Sequence, residues 1–340
     1  MVAVSAVGLI AALSSPVIVT QSIRDALQLC ARVLIPSLFP YMVFASLLAT
    51  ALSAEMNTGT HRFGKNGTGR LMILLGALSG YPTGAKSIGE MYRAGRLTKA
   101  ESHRLLSFSC NAGPAFIFGV IGSLYGSVRV GIVLMCIHLG SAWLLSLLLP
   151  KKESSDDAGA KYNSSALPPF SDCLLEAVQS AVHALIKIVG LVCLFSMLTA
   201  FEQKFFSKSE TLLPILSIFT ELASGSALLA ESGLSWSAKF SVTAAAVSFG
   251  GLCVLLQTAA VLSGSGLSVR HYVVGKILQA AISAAAAWPV SKLLGPALPT
   301  AAISSAHLVL SPWPWTLFSA AMVVIIFLQF PSSNFVSREL

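Results

Sequence analysis

Eight stretches of this sequence stay apolar long enough to cross a bilayer: residues 2–20, 33–53, 105–125, 129–149, 176–200, 237–263, 272–294 and 315–330. A helix needs about 20 residues to cross roughly 30 Å of hydrocarbon. In that medium every backbone N–H and C=O must find its partner within the protein, which helices achieve. Only 11% of the residues are charged and 55% are hydrophobic, whereas a soluble domain carries roughly 25% charge. The expectation is an all-α polytopic membrane protein of about eight transmembrane helices. No basic residue precedes the first run and no small-residue cleavage site follows it before Gln21, so it reads as a retained helix rather than a signal peptide.

The loops set the expected topology. Between the second and third crossings lie Arg62, Lys65, Arg70, Arg93, Arg96, Lys99 and Arg104 with few acids, which marks that side as cytoplasmic by the positive-inside rule. The loop with Lys151, Lys152 and Lys161 is then also cytoplasmic, the loop from Phe201 to Trp236 external, and both termini inside. The net charge of +8 is spread through loops, so it reads as membrane-surface charge and implies no nucleic acid. Cys30, Cys110, Cys136, Cys173, Cys193 and Cys253 are scattered without a C-x-x-C pair and read as free thiols.

Two parts of the chain repeat one pattern: an apolar run with a small-residue tip, then a helix interrupted by glycine. In the first copy the tip is Ser79-Gly80-Tyr81-Pro82-Thr83-Gly84 with Lys86 beyond it, and the interruption is Asn111-Ala112-Gly113-Pro114. In the second the tip is Glu221-Leu222-Ala223-Ser224-Gly225 and the interruption Gly250-Gly251. Residues 70–96 cannot cross once without breaking the charge scheme, so they read as a re-entrant hairpin from the cytoplasmic side. Residues 211–233 are its equivalent from outside, and the two copies are then inverted repeats, as in alternating-access carriers. The expected organisation is an N-terminal helix and lead-in (1–34), a first repeat (35–150, hairpin 70–96, broken helix 101–125), a polar linker (151–171), a second repeat (172–296, hairpin 211–233, broken helix 237–263) and a C-terminal helix (297–340).

The candidate binding residues follow from chemistry at these interruptions. Gly80, Pro82 and Gly84 suit a tight reversal that leaves N–H groups of the return arm unpaired, and Ser79, Tyr81 and Thr83 surround it. Unpaired N–H groups at a helix start favour an anion, to which Lys86 would add a full charge; the alternative is that Lys86 snorkels to the headgroups. Pro114 frees carbonyls that Asn111 can join, with Gly113 beside them, and Gly250 and Gly251 supply the matching break. Glu221 can take a proton or sodium ion or pair with Lys86, while Ser224 and Gly225 complete its tip; Gln257 can bond a ligand or a neighbouring helix. Cys110 and Cys253 flank the breaks, yet no His or Met cluster accompanies them, so no metal site is expected. No H-E-x-x-H or G-x-S-x-G element is present, and neither an enzyme nor a cofactor is expected.

The first tip with Ala85-Lys86, the run Asn111 to Ile117, Glu221, and Phe249-Gly250-Gly251 followed by Leu256-Gln257 resemble the sporulation integral membrane proteins of the YlbJ type, which belong with the nucleoside recognition or Gate domain proteins. The resemblance runs from about Pro36 to Leu294. It implies a transport scaffold of hairpins and unwound helices, a sporulation role, and export of dipicolinate across the outer forespore membrane as the most concrete activity. The resulting expectation is a secondary transporter for a small organic anion, with the lipid bilayer as surroundings; a homo-oligomer, proton or sodium coupling, a nucleoside or metal-ion cargo, and a non-transporting scaffold stay open as alternatives.

Overall fold

A computed structural model describes residues 2–55, 76–77, 80–95, 97–150 and 169–295. Ser79, most of the linker, the C-terminal helix expected at 297–340 and the crossing expected at 315–330 lie outside the described residues, as does the whole second compact unit, residues 303–340. Among the described residues every regular element is helical.

The first apolar run is not one helix. It divides into α1 (Val2–Ser14) and α2 (Pro16–Leu29), because Pro16 has no N–H to continue the ladder and sits at the first position of a new helix. Wide turns over Cys30–Leu34 carry α2 into α3 (Ile35–Glu55). Then come α4 (Thr83–Arg93) and α5 (Lys99–Ser109). Thr98 and Glu101 cap α5 reciprocally: Glu101 N–H donates to Thr98 Oγ1 at 3.2 Å and Thr98 N–H to Glu101 Oε2 at 2.9 Å.

The chain is extended at Cys110 and resumes after Pro114 as wide turns over Ala115–Gly122, so the expected break in this helix is present. α6 (Val128–Leu148) and the 37-residue α7 (Phe170–Phe206) follow. α7 runs past the expected crossing into what reads as loop in the sequence. The chain continues through α8 (Leu212–Thr220), α9 (Leu222–Glu231), α10 (Trp236–Phe249), α11 (Gly251–Leu262) and α12 (Arg270–Leu294).

Four segments are long and apolar enough to cross a membrane among the described residues: α6, α7, α10 with α11, and α12. Their outer faces carry Ile132, Trp143, Leu147, Ile186, Val274, Ile277 and Trp288 in the open, as suits side chains whose surroundings are lipid tails rather than water. Helices α8 and α9, of 9 and 10 residues, reach only about 15 Å each, half the hydrocarbon thickness. They fold back on one another so closely that a Cβ on Gly225 would lie 2.2 Å from Ile218 Cα. Gly76 and Gly84 meet in the same manner on either side of Gly80, with the Ser109 carbonyl wedged against both.

The core holds these parts in two clusters. Ile88 and Met91 of α4 pack on Leu105, Leu106 and Phe108 of α5 and on Tyr272 of α12. Ala26, Met42, Ile188, Val192 and Cys253 join α2, α3, α7 and α11.

The start of α5 docks on the loop before α12 through a histidine. His103 Nε2 accepts from Ser268 N–H at 3.1 Å, and its ring stacks on His271 at 4.1 Å. Burial, then the charges of His271 and Lys99, holds the His103 pKa below its usual value. A base with a depressed folded-state pKa stabilises the fold fully above its unfolded value, near 6.5, and that stability is lost as pH falls through the folded value. The parent should therefore lose thermal stability relative to His103→Gln, whose amide oxygen still accepts from Ser268, as pH drops from about 7.5 to about 5. Melting curves of the two proteins that stay parallel over this range would refute the contact's role.

Candidate functional site

Each hairpin tip rests on a helix break. Gly80 has φ +75°, and a Cβ there would lie 3.0 Å from Gly113 N and 3.3 Å from its Cα, so the first tip lies directly on the first break. Gly251 has φ +79° and comes within 3.2 Å of the Phe219 carbonyl and 3.6 Å of the Thr220 carbonyl by the same measure. The second break thus lies on the second tip. Both approaches favour glycine, because the backbone is left-handed and a Cβ would crowd the facing backbone atoms. Tyr81 links the two regions. Its buried hydroxyl donates to the Val247 carbonyl, one turn ahead of Gly250, and a Cβ on Gly250 would touch the ring. The Tyr81–Pro82 peptide is cis.

The charges do not take the arrangement expected of them. Lys86 is buried on α4 and pairs with Glu90 Oε1 at 2.7 Å, an i,i+4 ion pair that Ser180 joins at 3.4 Å. Glu221 does not reach Lys86. Its carboxylate caps α9, accepting from Ala223 N–H at 3.0 Å, Ser224 N–H at 2.7 Å and the Ser224 hydroxyl, the favoured position for a negative group at a helix start. Glu202, expected in an external loop, lies on α7 and accepts from Ser217 at 3.0 Å and Thr220 at 2.6 Å, clasping the second hairpin. Gln257 is buried and donates to Cys253 Sγ at 3.3 Å.

The buried cation of the first junction is Lys276 of α12, which is fully buried. Its ammonium donates to Gln279 Oε1 at 2.6 Å and Asn111 Oδ1 at 3.3 Å, and lies 5.8 Å from the Tyr81 ring centre and 6.0 Å from that of Tyr272. Gln279 also donates to Asn111 Oδ1 and to the His138 carbonyl, both at 3.1 Å. Among the described residues no carboxylate pairs with Lys276. Asn111 Nδ2 meanwhile donates to the Phe108 carbonyl at 2.9 Å, satisfying one of the groups freed where α5 ends.

His138 of α6 completes the junction. Ala112 N–H, in the break itself, donates to His138 Nε2 at 2.9 Å, so Nδ1 carries the proton and donates to Ser248 at 2.9 Å. Ser248 bonds Ser283 at 2.7 Å, Ser283 donates to Ser141 at 2.8 Å, and Ser141 returns to the His138 carbonyl at 2.8 Å. This closed ring ties α6, α10 and α12 together.

Other polar groups here lack partners. The Thr83 and Ser109 hydroxyls are buried without a hydrogen bond among the described residues. The Gly84 and Ala85 N–H groups, in the first turn of α4, likewise bond to no carbonyl. Lys276, Gln279 and His138 are missed by reading motifs alone; the one available signal is a lysine inside an apolar span, which membranes tolerate at a cost. No group of three or more His, Cys, Asp or Glu side chains that could hold a metal ion occurs among the described residues.

No protein-family model matches the chain, and no solved structure matches it. It is 25% identical over 318 residues to the Sporulation integral membrane protein YlbJ of Bacillus subtilis (strain 168), an alignment covering 80% of this chain and 77% of that protein. With its four apolar spans, that likeness makes the chain an integral membrane protein similar to the sporulation protein YlbJ.

Proposed function

We propose that the protein is a secondary transporter that moves a small organic anion by alternating access between two inverted repeats. The observation that carries this reading is the pair of tip-on-break junctions. The pair α8 and α9 closes on the break at Gly250–Gly251, and the described part of the first tip closes on the break at Gly113; irregular backbone at membrane depth is tolerated only where it is buried in protein or lines a wet path. The first junction carries polar side chains, whereas a dry, apolar contact there would favour a scaffold. In this reading residues 70–96 and 211–233 are the re-entrant hairpins, and both termini face the cytoplasm. The name of the Bacillus relative favours a sporulating cell and its membranes. Dipicolinate, a flat dicarboxylate, is the first cargo to try, with the outer forespore membrane as its setting.

The test is uptake of labelled dipicolinate and of uridine by proteoliposomes containing the purified full chain. Dipicolinate should enter or exchange above the level of empty liposomes. Gly80→Val should insert normally yet lose roughly tenfold in rate, since a side chain in left-handed backbone costs about 1–2 kcal/mol and this one would also push the tip off Gly113. Movement of neither solute by the parent protein would overturn the reading.

A further inference from the structure

We infer that the carboxylate of the transported anion binds to Lys276, between the first tip and the first break, an assignment that rests on the transport reading above. An ammonium has three donors and no acceptor. Lys276 directs two of its donors to the amide oxygens of Gln279 and Asn111 and lies beside the faces of two tyrosine rings. Neutral acceptors and ring faces hold the charge in place but do not cancel it, and an uncancelled charge is expensive at membrane depth. The missing partner is an anion.

The surroundings fit a carboxylate. Its two oxygens offer about four lone-pair positions, and the same junction carries donors that have no partner among the described residues: the Thr83 and Ser109 hydroxyls and the N–H groups of Gly84 and Ala85. Thr83 lies on the return arm, whose next residue, Gly84, touches the Ser109 carbonyl and the Cys110 Cα. Asn111, which holds the ammonium, is two residues from Ser109. Thus the donors, and the Asn111 that holds the cation, belong to the two backbones that meet at this junction, while the cation reaches it from α12. Lys86 is no rival for the role, because Glu90 already neutralises it. In the arrangement described, Tyr81 covers the ammonium and hydrogen-bonds to the Val247 carbonyl. Lifting the tip breaks that bond and uncovers Lys276.

Thermal-shift titration of the detergent-purified full chain with dipicolinate and with its neutral diamide tests the assignment, alongside the uptake assay. The acid should raise the melting midpoint of the parent and of Lys204→Met, a lysine at the far end of α7 that donates to Ser15; the diamide should not. Lys276→Met should weaken binding roughly tenfold or more, the worth of a charge-assisted hydrogen bond. Asn111→Asp gives Lys276 a carboxylate of its own and should weaken binding as strongly, which keeps the test decisive if the methionine variant fails to fold. Parent-like binding and uptake in either variant would remove Lys276 from the site while leaving transport intact. A parent that transports no carboxylate would overturn the transport reading and this site with it.

Discussion

Gly225→Val is expected to abolish accumulation of folded protein. The Cβ alone would lie 2.2 Å from both Ile218 N and Ile218 Cα, and these are backbone atoms of a packed helix that cannot rotate away. α8 and α9 would have to separate, releasing the contacts of Gly251 with Phe219 and Thr220. Overpacking that merely crowds a side chain costs about 1–3 kcal/mol; a backbone collision should exceed that, at about 4 kcal/mol or more. Gly233→Ala is the control, since its Cβ would meet nothing nearer than 3.9 Å. Fluorescence-detected size-exclusion of the two variants decides the matter. A monodisperse Gly225→Val protein at parental yield would mean that the two helices are not closed as described.

Asn111→Leu should destabilise the protein by about 2–3 kcal/mol, the range for removing a hydrogen-bond partner from a buried charged group. The substitution removes one of two oxygen acceptors from Lys276 and one acceptor from Gln279, and it strips the Phe108 carbonyl of its donor. Most of that loss should vanish in the double variant Asn111→Leu with Lys276→Met, because the methionine carries no charge to strand. The pair should therefore be far from additive. Denaturation of the four proteins of the cycle in one detergent would show it; additive losses would mean that the ammonium does not depend on Asn111.

Both breaks were legible in the sequence because their causes are local. Pro114 lacks an N–H wherever it stands, and Gly250 can take a φ of +91° without help from its surroundings. The long helices α6, α7 and α12 were legible for a similar reason, since apolar length is a property of a run. The junction's chemistry was not. Lys276 meets Asn111 across 165 positions and Gln279 meets the His138 carbonyl across 141, and no spacing rule joins residues so distant. Lys86 is the reverse case: its partner stands four residues on at Glu90, an i,i+4 pairing visible in the sequence, yet the tip and Glu221 offered it more interesting roles. The division of the first run at Ser15 was also local, since Pro16 marks it, but hydropathy averages across a proline without registering it.

The ring through His138, Ser248, Ser283 and Ser141 bears on how such a molecule could open. Because Ala112 fixes which imidazole nitrogen is bare, every hydroxyl hydrogen in the ring points one way round. Bolted together in this manner, α6, α10 and α12 act as a chassis: prising them apart would sever several buried bonds at once, each worth about 1 kcal/mol and costlier still if left unmade. Tyr81, by contrast, is fastened to Val247 by one hydroxyl. The frame of α6, α10 and α12 is therefore the part of the molecule most costly to deform.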